Sequence, residues 1–159
     1  METTMNPANE NSIYDKLFSR LGGRLGDMVE SMVKPNLAPK FGSIGYKIDK
    51  IEKNIEILEG NSVIAEADLM CENSEVVIAI DIKMNLTIDD VQDHIERINK
   101  LKKIANERND TRKYMGAIGG MVMGDSQRNY ALKQGFYLLE PSGETFNIIT
   151  PANNKIREW

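Results

Sequence analysis

The chain has 159 residues, of which 41% are hydrophobic and 28% charged, a composition typical of one globular domain with a core of its own. Its 20 Lys and Arg against 24 Asp and Glu give a net charge of −4, which excludes nucleic-acid binding through an overall positive field. The single cysteine, Cys71, excludes an intramolecular disulfide and a cysteine-based zinc site. No long apolar run and no basic segment before an apolar one occur, so we expect no membrane span, no signal peptide and a cytoplasmic location.

The N-terminal part of the chain divides into a polar segment and an apolar repeat. Residues 1–12 are rich in Asn, Thr and Glu and are predicted to form a flexible tail, with residues 13–159 forming one domain. From Ile13 to Val33 apolar residues recur at helical spacing, which predicts a helix. Pro35 and Pro39 are expected to end this helical region.

Residues 44–58 allow two interpretations. Apolar residues recur there as on one face of a short amphipathic helix: Ile44, Ile48, Ile51, Ile55 and Leu58. The same stretch is rich in isoleucine, and parts of it alternate as in a strand with a change of phase, which a bulge would supply. Periodicity alone favours the helix.

The remaining elements are easier to predict. A β-hairpin is expected from Ser62–Met70 and Glu75–Met84, and the apolar run from Val76 to Ile82 is typical of a central strand covered on both faces. Thr87 is expected to cap a helix that ends near Asn106. The following elements are predicted as a strand at Tyr114–Met123, a helix at Ser126–Lys133 stopped by Gly135, and strands at Phe136–Leu139 and Thr145–Ile149 around a Pro141-Ser142-Gly143 turn. This order predicts a mixed α/β domain.

Charged residues interrupt the most apolar part of the chain. Asp81 and Lys83 lie two residues apart at the end of the central strand and therefore share one face of the sheet. Glu66 and Asp68, also two residues apart, share one face on the preceding strand. Two hairpin registers are open: a turn centred on residues 73–74 places Glu66 opposite Asp81, and one centred on residues 74–75 places Asp68 opposite Asp81. Either register gathers carboxylates and one ammonium group within a few ångströms.

Two interpretations of this cluster remain open. Carboxylates that pack together repel one another unless a cation joins them, and hard oxygen ligands favour Mg²⁺ or Mn²⁺. A lysine beside such a metal orients water or stabilises developing negative charge. The alternative is an internal salt bridge of Lys83 with Asp81 or Asp68 at a solvated strand end.

The spacing of these residues resembles the signature of the PD-(D/E)XK nuclease superfamily. The resemblance rests on Glu66-x-Asp68, followed by a hairpin and by Asp81-Ile82-Lys83 after an apolar strand. Ala67 replaces the proline usual before the first aspartate. Glu30 fits the further acidic position that the family places on its first helix.

The resemblance extends from about Leu21 to Ile149, where the chain is similar to an uncharacterised bacterial branch of that superfamily, whose members often carry an upstream coiled coil. It implies a restriction-endonuclease-like αβββαβ core with a central mixed sheet flanked by helices. Such a core requires a strand before Glu66, so residues 46–58 are expected to be extended, against their helical periodicity.

The resemblance also implies roles for single residues. Asp68, Asp81, Glu30 and the carbonyl of Ile82 would hold Mg²⁺ or Mn²⁺, and Lys83 would position the attacking water or stabilise the transition state. Glu66 is an auxiliary residue that the superfamily does not require. The implied substrate is a phosphodiester of nucleic acid, DNA more than RNA.

Further residues are weaker candidates for phosphate contacts. Gln92 and His94 lie on the helix where superfamily members often place an auxiliary polar residue, although the position of His94 beside the apolar stripe favours a structural role. Lys100, Lys102 and Lys103 are expected either to bind nucleic acid as a basic patch or to form a solvated helix face.

These observations lead to a metal-dependent nuclease as the first functional hypothesis. The second is a catalytically inactive module with the same fold that binds nucleic acid or protein. The third is an assembly domain that forms a homodimer through its N-terminal helix. No membrane partner is expected.

Overall fold

The computed structural model describes residues 26–27 and 29–159, without the side chain of Glu30. The predicted tail at residues 1–12 and most of the predicted helix that begins at Ile13 lie outside these described residues.

The protein is built on one six-stranded sheet whose strands lie in chain order. The strands are β1 (Lys50–Glu59), β2 (Ser62–Glu72), β3 (Val76–Asn85), β4 (Lys113–Val122), β5 (Tyr137–Ser142) and β6 (Thr145–Ile149). Strand β2 runs antiparallel to its two neighbours β1 and β3, strands β3 to β5 run parallel, and β6 returns antiparallel to β5. Helix crossovers connect the parallel strands, and the expected mixed α/β class is confirmed.

Three helices cover the two faces of the sheet. A π-helical turn, Val29–Val33, leads into α1 (Lys34–Ser43), which packs on one face, whereas α2 (Ile88–Glu107) and α3 (Asp125–Lys133) pack on the other. Strand β3 is buried from its first residue to Ile82, as its continuous apolar run predicts. No described helix has the length and apolar character needed to cross a membrane.

The expectation that two prolines end the first helical region is wrong. Pro35 lies in the first turn of α1, where a missing N–H costs nothing, and Pro39 lies inside the helix. Leu37 and Phe41 are spaced four residues apart and are both fully buried. Their packing outweighs the hydrogen bond that Pro39 removes.

The ambiguous stretch is a strand over Lys50–Glu59, so the extended conformation expected there is confirmed for all but its first residues. Asn54 has φ 50°, a left-handed conformation that Asn tolerates, and it changes the phase of β1. Ile51 packs on the α1 face of the sheet, whereas Ile55 and Ile57 pack on the α2 face. The change of phase spaces these isoleucines as in a helix.

Helix α2 begins as predicted at Thr87. The Thr87 hydroxyl accepts from Asp90 N at 3.1 Å, and the Asp90 carboxylate accepts from Thr87 N at 2.9 Å, which completes a capping box. The cap fixes the start of α2 and hence which of its side chains face β3.

The predicted turn after β5 is displaced, because Pro141 and Ser142 belong to the strand and Gly143, with φ 60°, makes the turn.

Candidate active site

The hairpin between β2 and β3 is fixed by an asparagine. The Asn73 Oδ1 atom accepts from the N–H groups of Glu75 and Val76, both at 2.8 Å, which is an Asx turn. This geometry centres the turn on residues 74–75 and so selects the second of the two registers left open by the sequence.

The selected register brings Asp68 and Asp81 to opposite positions at the point where the two strands separate. Their ladder runs from the turn to the pair Leu69–Ile80, and the next pair would be Asp68 with Asp81. There the Asp68 carboxylate accepts from Ile82 N at 3.0 Å. The Asp68 side chain thus pairs with a backbone N–H of β3 that the backbone of β2 does not reach once the strands separate.

Asp81 is a buried carboxylate with little direct compensation. The residue is 3% exposed, and its Oδ2 atom accepts no hydrogen bond from any described residue. Lys83 Nζ and Arg97 Nη1 each lie 3.5 Å from Oδ2. These are ion pairs at the long end of contact distance, and a buried carboxylate oxygen without a hydrogen bond is costly.

The two carboxyl groups titrate as a pair. Burial, the hydrogen bond to Asp81 and repulsion by its charge raise the pKa of Asp68 to about 7. Burial alone would raise the pKa of Asp81 as well, but the hydrogen bond from Asp68 and the nearby cations of Lys83 and Arg97 hold it below its ordinary value. Below about pH 7 the pair therefore holds about one proton, as expected for carboxylates that share a site.

His94 lies beneath the carboxylate pair and is fully buried. Its Nε2 atom donates to the Ala79 carbonyl at 3.0 Å, and its Nδ1 atom accepts from Arg97 Nη1 at 2.9 Å; this tautomer follows because a carbonyl only accepts and a guanidinium only donates. Burial lowers the pKa of His94 to about 4, so the ring is neutral. His94 is thus a structural residue that positions Arg97.

Arg97 is a site residue that the sequence analysis does not assign. It approaches Asp81 from α2 because it lies one helical turn after His94. The sequence shows only an arginine three residues after a histidine on the apolar stripe of the helix. The packing of α2 on β3 is what brings this arginine to Asp81.

Two clefts adjoin the carboxylate pair. A cleft of about 420 Å³ and one of about 280 Å³ share three lining residues, Asn54, Asp68 and Lys83. Asp81 and Arg97 line only the smaller cleft. Because Asp68 and Lys83 border both clefts, a ligand entering from either side meets the same two groups.

The other residues predicted at the site differ in how closely they approach the carboxylate pair. Ile82 is buried, and its backbone reaches the site because its N–H donates to Asp68. Glu66 is exposed and lines the smaller cleft. Glu30 lies in the π-helical turn before α1, and its side chain is outside the description. Among the described side chains, no group of three or more His, Cys, Asp or Glu residues is arranged to hold a metal.

The predicted auxiliary and nucleic-acid-binding residues on α2 lie in different environments. Gln92 Nε2 donates to the Tyr130 hydroxyl at 3.3 Å, which links α2 to α3. Lys100 lines a cleft next to Arg97, and Lys103 is exposed. Lys102 donates to the Arg112 carbonyl at 2.8 Å, near the start of β4, so it supports the fold.

Comparisons of the chain with protein-family models, with curated proteins and with solved structures find no match. The nuclease resemblance therefore stays a prediction from its motifs, and the chemistry of the site must be argued from its side chains.

Proposed function

We propose that this protein is a metal-dependent nuclease that hydrolyses phosphodiester bonds of nucleic acid at Asp68, Asp81 and Lys83. The observation that carries the proposal is the pair of facing carboxyl groups that share one proton beside an ammonium group, in the wall of two clefts. Side chains that served only to pack would not need two facing carboxyl groups, one of them buried, beside an ammonium group.

The chemistry of the donor set supports a divalent cation at the pair. Asp81 presents a buried oxygen without a hydrogen bond, and a cation would take the place of the shared proton and remove the repulsion between the carboxylates. Carboxylate oxygens suit Mg²⁺ and Mn²⁺, which keep several of their waters. In this proposal Asp68 and Asp81 supply two ligands, and the Ile82 carbonyl and Glu30 supply the others. When bound, such an ion activates water and stabilises charge on the phosphate.

The chain's own cations have separate tasks in this proposal. The Lys83 side chain is 39% exposed, so its ammonium reaches the clefts and is able to orient a water or stabilise charge on a phosphate oxygen. The Arg97 side chain is 18% exposed and is tied to His94, so it acts as a fixed positive charge behind the carboxylates. Burial of the pair strengthens both interactions because water screens them little.

A catalytically inactive binding module is the second candidate. One observation favours it: Lys83 and Arg97 each approach Asp81 and partly neutralise its charge without any metal. If the cluster were only an internal ion-pair network, metal would neither bind nor promote cleavage, whereas nucleic acid or protein would still bind.

The test is a cleavage assay with purified protein on linear DNA, circular DNA and RNA, with Mg²⁺ or Mn²⁺. We expect wild type to cut at least one substrate and both Asp81→Asn and Lys83→Met to lose at least a hundredfold in rate, since each removes a group that acts on the reacting atoms. The matched control is Asp49→Asn, which changes an exposed aspartate beside the other end of β2.

Two results would contradict the nuclease proposal. One is equal cleavage by wild type and Asp81→Asn, which would mean a contaminating nuclease. The other is binding without cleavage under every metal condition, which would favour the inactive module.

A further inference from the structure

A third cleft, of about 440 Å³, lies between β2 and α2 beside the carboxylate pair. It adjoins the smaller cleft, with which it shares Glu66 and Arg97. The wall that β2 contributes is apolar and consists of Val63, Ile64 and Ala65, and Val63 is 49% exposed. An exposed apolar side chain in the wall of a cleft favours a partner that covers it.

The same cleft has a surplus of negative charge. Three exposed carboxylates and two cations line it: Glu66, Asp93, Glu96, Arg97 and Lys100. Arg97 is directed at Asp81, 3.5 Å away. The acidic surface continues into the smaller cleft, where Asp81 has a buried Oδ2 atom that accepts no hydrogen bond from the described residues. This surface therefore attracts a cationic, partly apolar partner and repels a phosphate backbone.

The sequence of residues 13–25 has the complementary character. Apolar residues recur there at every fourth position, and a cation directly precedes each leucine of this series: Ile13, Leu17, Leu21 and Leu25, with Lys16, Arg20 and Arg24. Asp15 is the one acidic residue, so the segment has a net charge of +2 in a chain of net charge −4. The helix predicted for this segment would place the apolar residues in one stripe and the cations in a second stripe beside it. The two stripes match the apolar wall of β2 and the acidic wall of α2.

The point where the segment joins the described chain is close to this cleft. Gly26, the next residue, lines the larger cleft together with Asp68. Asp68 and Val63 are five residues apart on β2, which is about 17 Å along a strand. Thirteen residues span about 20 Å as a helix. Residues 13–25 are therefore long enough to extend from Gly26 into the third cleft.

We propose that residues 13–25 dock in the third cleft of the same chain, with their leucines on Val63 and their cations on Asp93 and Glu96. This interaction does not depend on the proposed nuclease function. The docked segment covers the acidic side of the carboxylate pair and leaves the larger cleft open to an anionic substrate. A basic segment of another molecule would fit the same surface, but the covalent connection at Gly26 gives residues 13–25 a high effective concentration there.

Trypsin cleavage of the full chain after Arg20 and Arg24 measures the docking. A protease cuts a segment while it is undocked, so the cleavage rate follows the undocked population. Mass spectrometry identifies the cut site, and a free peptide of residues 10–27 gives the rate for the same sites without docking. Measurements at several protein concentrations, with light scattering, separate docking within one chain from docking between two.

The variant of the cleft is Asp93→Asn/Glu96→Gln, which leaves both trypsin sites unchanged. The matched control, Asp89→Asn/Glu107→Gln, removes two exposed carboxylates from α2 outside this cleft. Val63→Ser tests the apolar wall. Urea unfolding verifies that the variants are as stable as wild type.

We expect wild type to be cut at these sites about tenfold more slowly than the free peptide. The cleft variant should be cut about three- to tenfold faster than wild type, because two exposed ion pairs contribute modestly to docking. Val63→Ser should also be cut faster, and the control should retain the wild-type rate. These rates should not change with protein concentration, because the docking is intramolecular.

Three results would overturn the inference. One is a wild-type rate equal to that of the free peptide, and another is the same rate in the cleft variant and the control. The third is protection that rises with protein concentration together with a dimer mass, which would assign the cleft to the segment of a second copy.

Discussion

Replacing Asp68 with Asn tests the shared proton directly. The Asn side chain keeps an oxygen that is able to accept from Ile82 N, as Asp68 does at 3.0 Å, and it adds an N–H donor where protonated Asp68 donates to Asp81. The variant thus resembles the protonated pair at every pH. We expect it to be more stable than wild type at alkaline pH and about equal to it near pH 4.

The magnitude follows from the pKa of Asp68, which rises from 3.8 to about 7 on folding. A raised pKa means that the folded protein holds this proton more tightly, so the stabilisation is complete below the ordinary pKa and is lost as the pH rises through about 7. A difference of about three pKa units at 1.36 kcal/mol each gives about 4 kcal/mol at pH 8. This is an upper bound, because Lys83 and Arg97 are able to turn toward a second charge.

The assay is urea unfolding of wild type, Asp68→Asn and the control Asp49→Asn in EDTA, from pH 4 to 8. The difference between Asp68→Asn and wild type should grow by about 1.4 kcal/mol per pH unit at most, while the control difference stays flat. A constant difference across this range would refute the reasoning, since it would mean that the pair holds no proton in the folded state.

Two predictions concern the packing that supports the site, and urea unfolding measures both. Gly116→Ala should lower the free energy of unfolding by about 1–3 kcal/mol, because the added Cβ would lie 2.6 Å from Ile98 Cδ1. Gly42→Ala should raise it by about 0.5–1 kcal/mol, because Gly42 lies in a helix and its added Cβ would have nothing within 4 Å. Equal effects of the two substitutions would contradict this account. His94→Phe should cost about 2–4 kcal/mol, because it leaves Arg97 and a backbone carbonyl unpaired, and a loss under about 0.5 kcal/mol would show that His94 is not needed.

The sequence predicts the strands and helices of the sheet well where one periodicity persists. It fails locally where a single residue changes the phase. At Asn54 the left-handed backbone moves the isoleucines of β1 from one face to the other, which produces an apparent helical period. Resolving this stretch as a strand required the family resemblance and not the pattern itself.

The site could be predicted only in part, for similar reasons. Asp81 and Lys83 are recognisable because charges are rare at the end of so apolar a strand, and Asp68 because the hairpin brings it near them. The choice between the two hairpin registers depended on the Asx turn at Asn73. The residue composition of the two strands does not distinguish these registers. Arg97 could not be assigned, because its contact with Asp81 depends on how α2 packs against β3.

A divalent cation at Asp68 and Asp81 is the claim on which the proposed chemistry depends, and titration of the metal-free protein with Mn²⁺ tests it most directly. Calorimetry in buffers of different ionisation enthalpy gives both the number of sites and the protons released. We predict one Mn²⁺ per chain with release of about one proton near pH 6, when the ion replaces the proton of the pair, and loss of this site in both Asp68→Asn and Asp81→Asn but not in Asp49→Asn. Weak binding that is the same in all four proteins, with no proton released, would contradict the account.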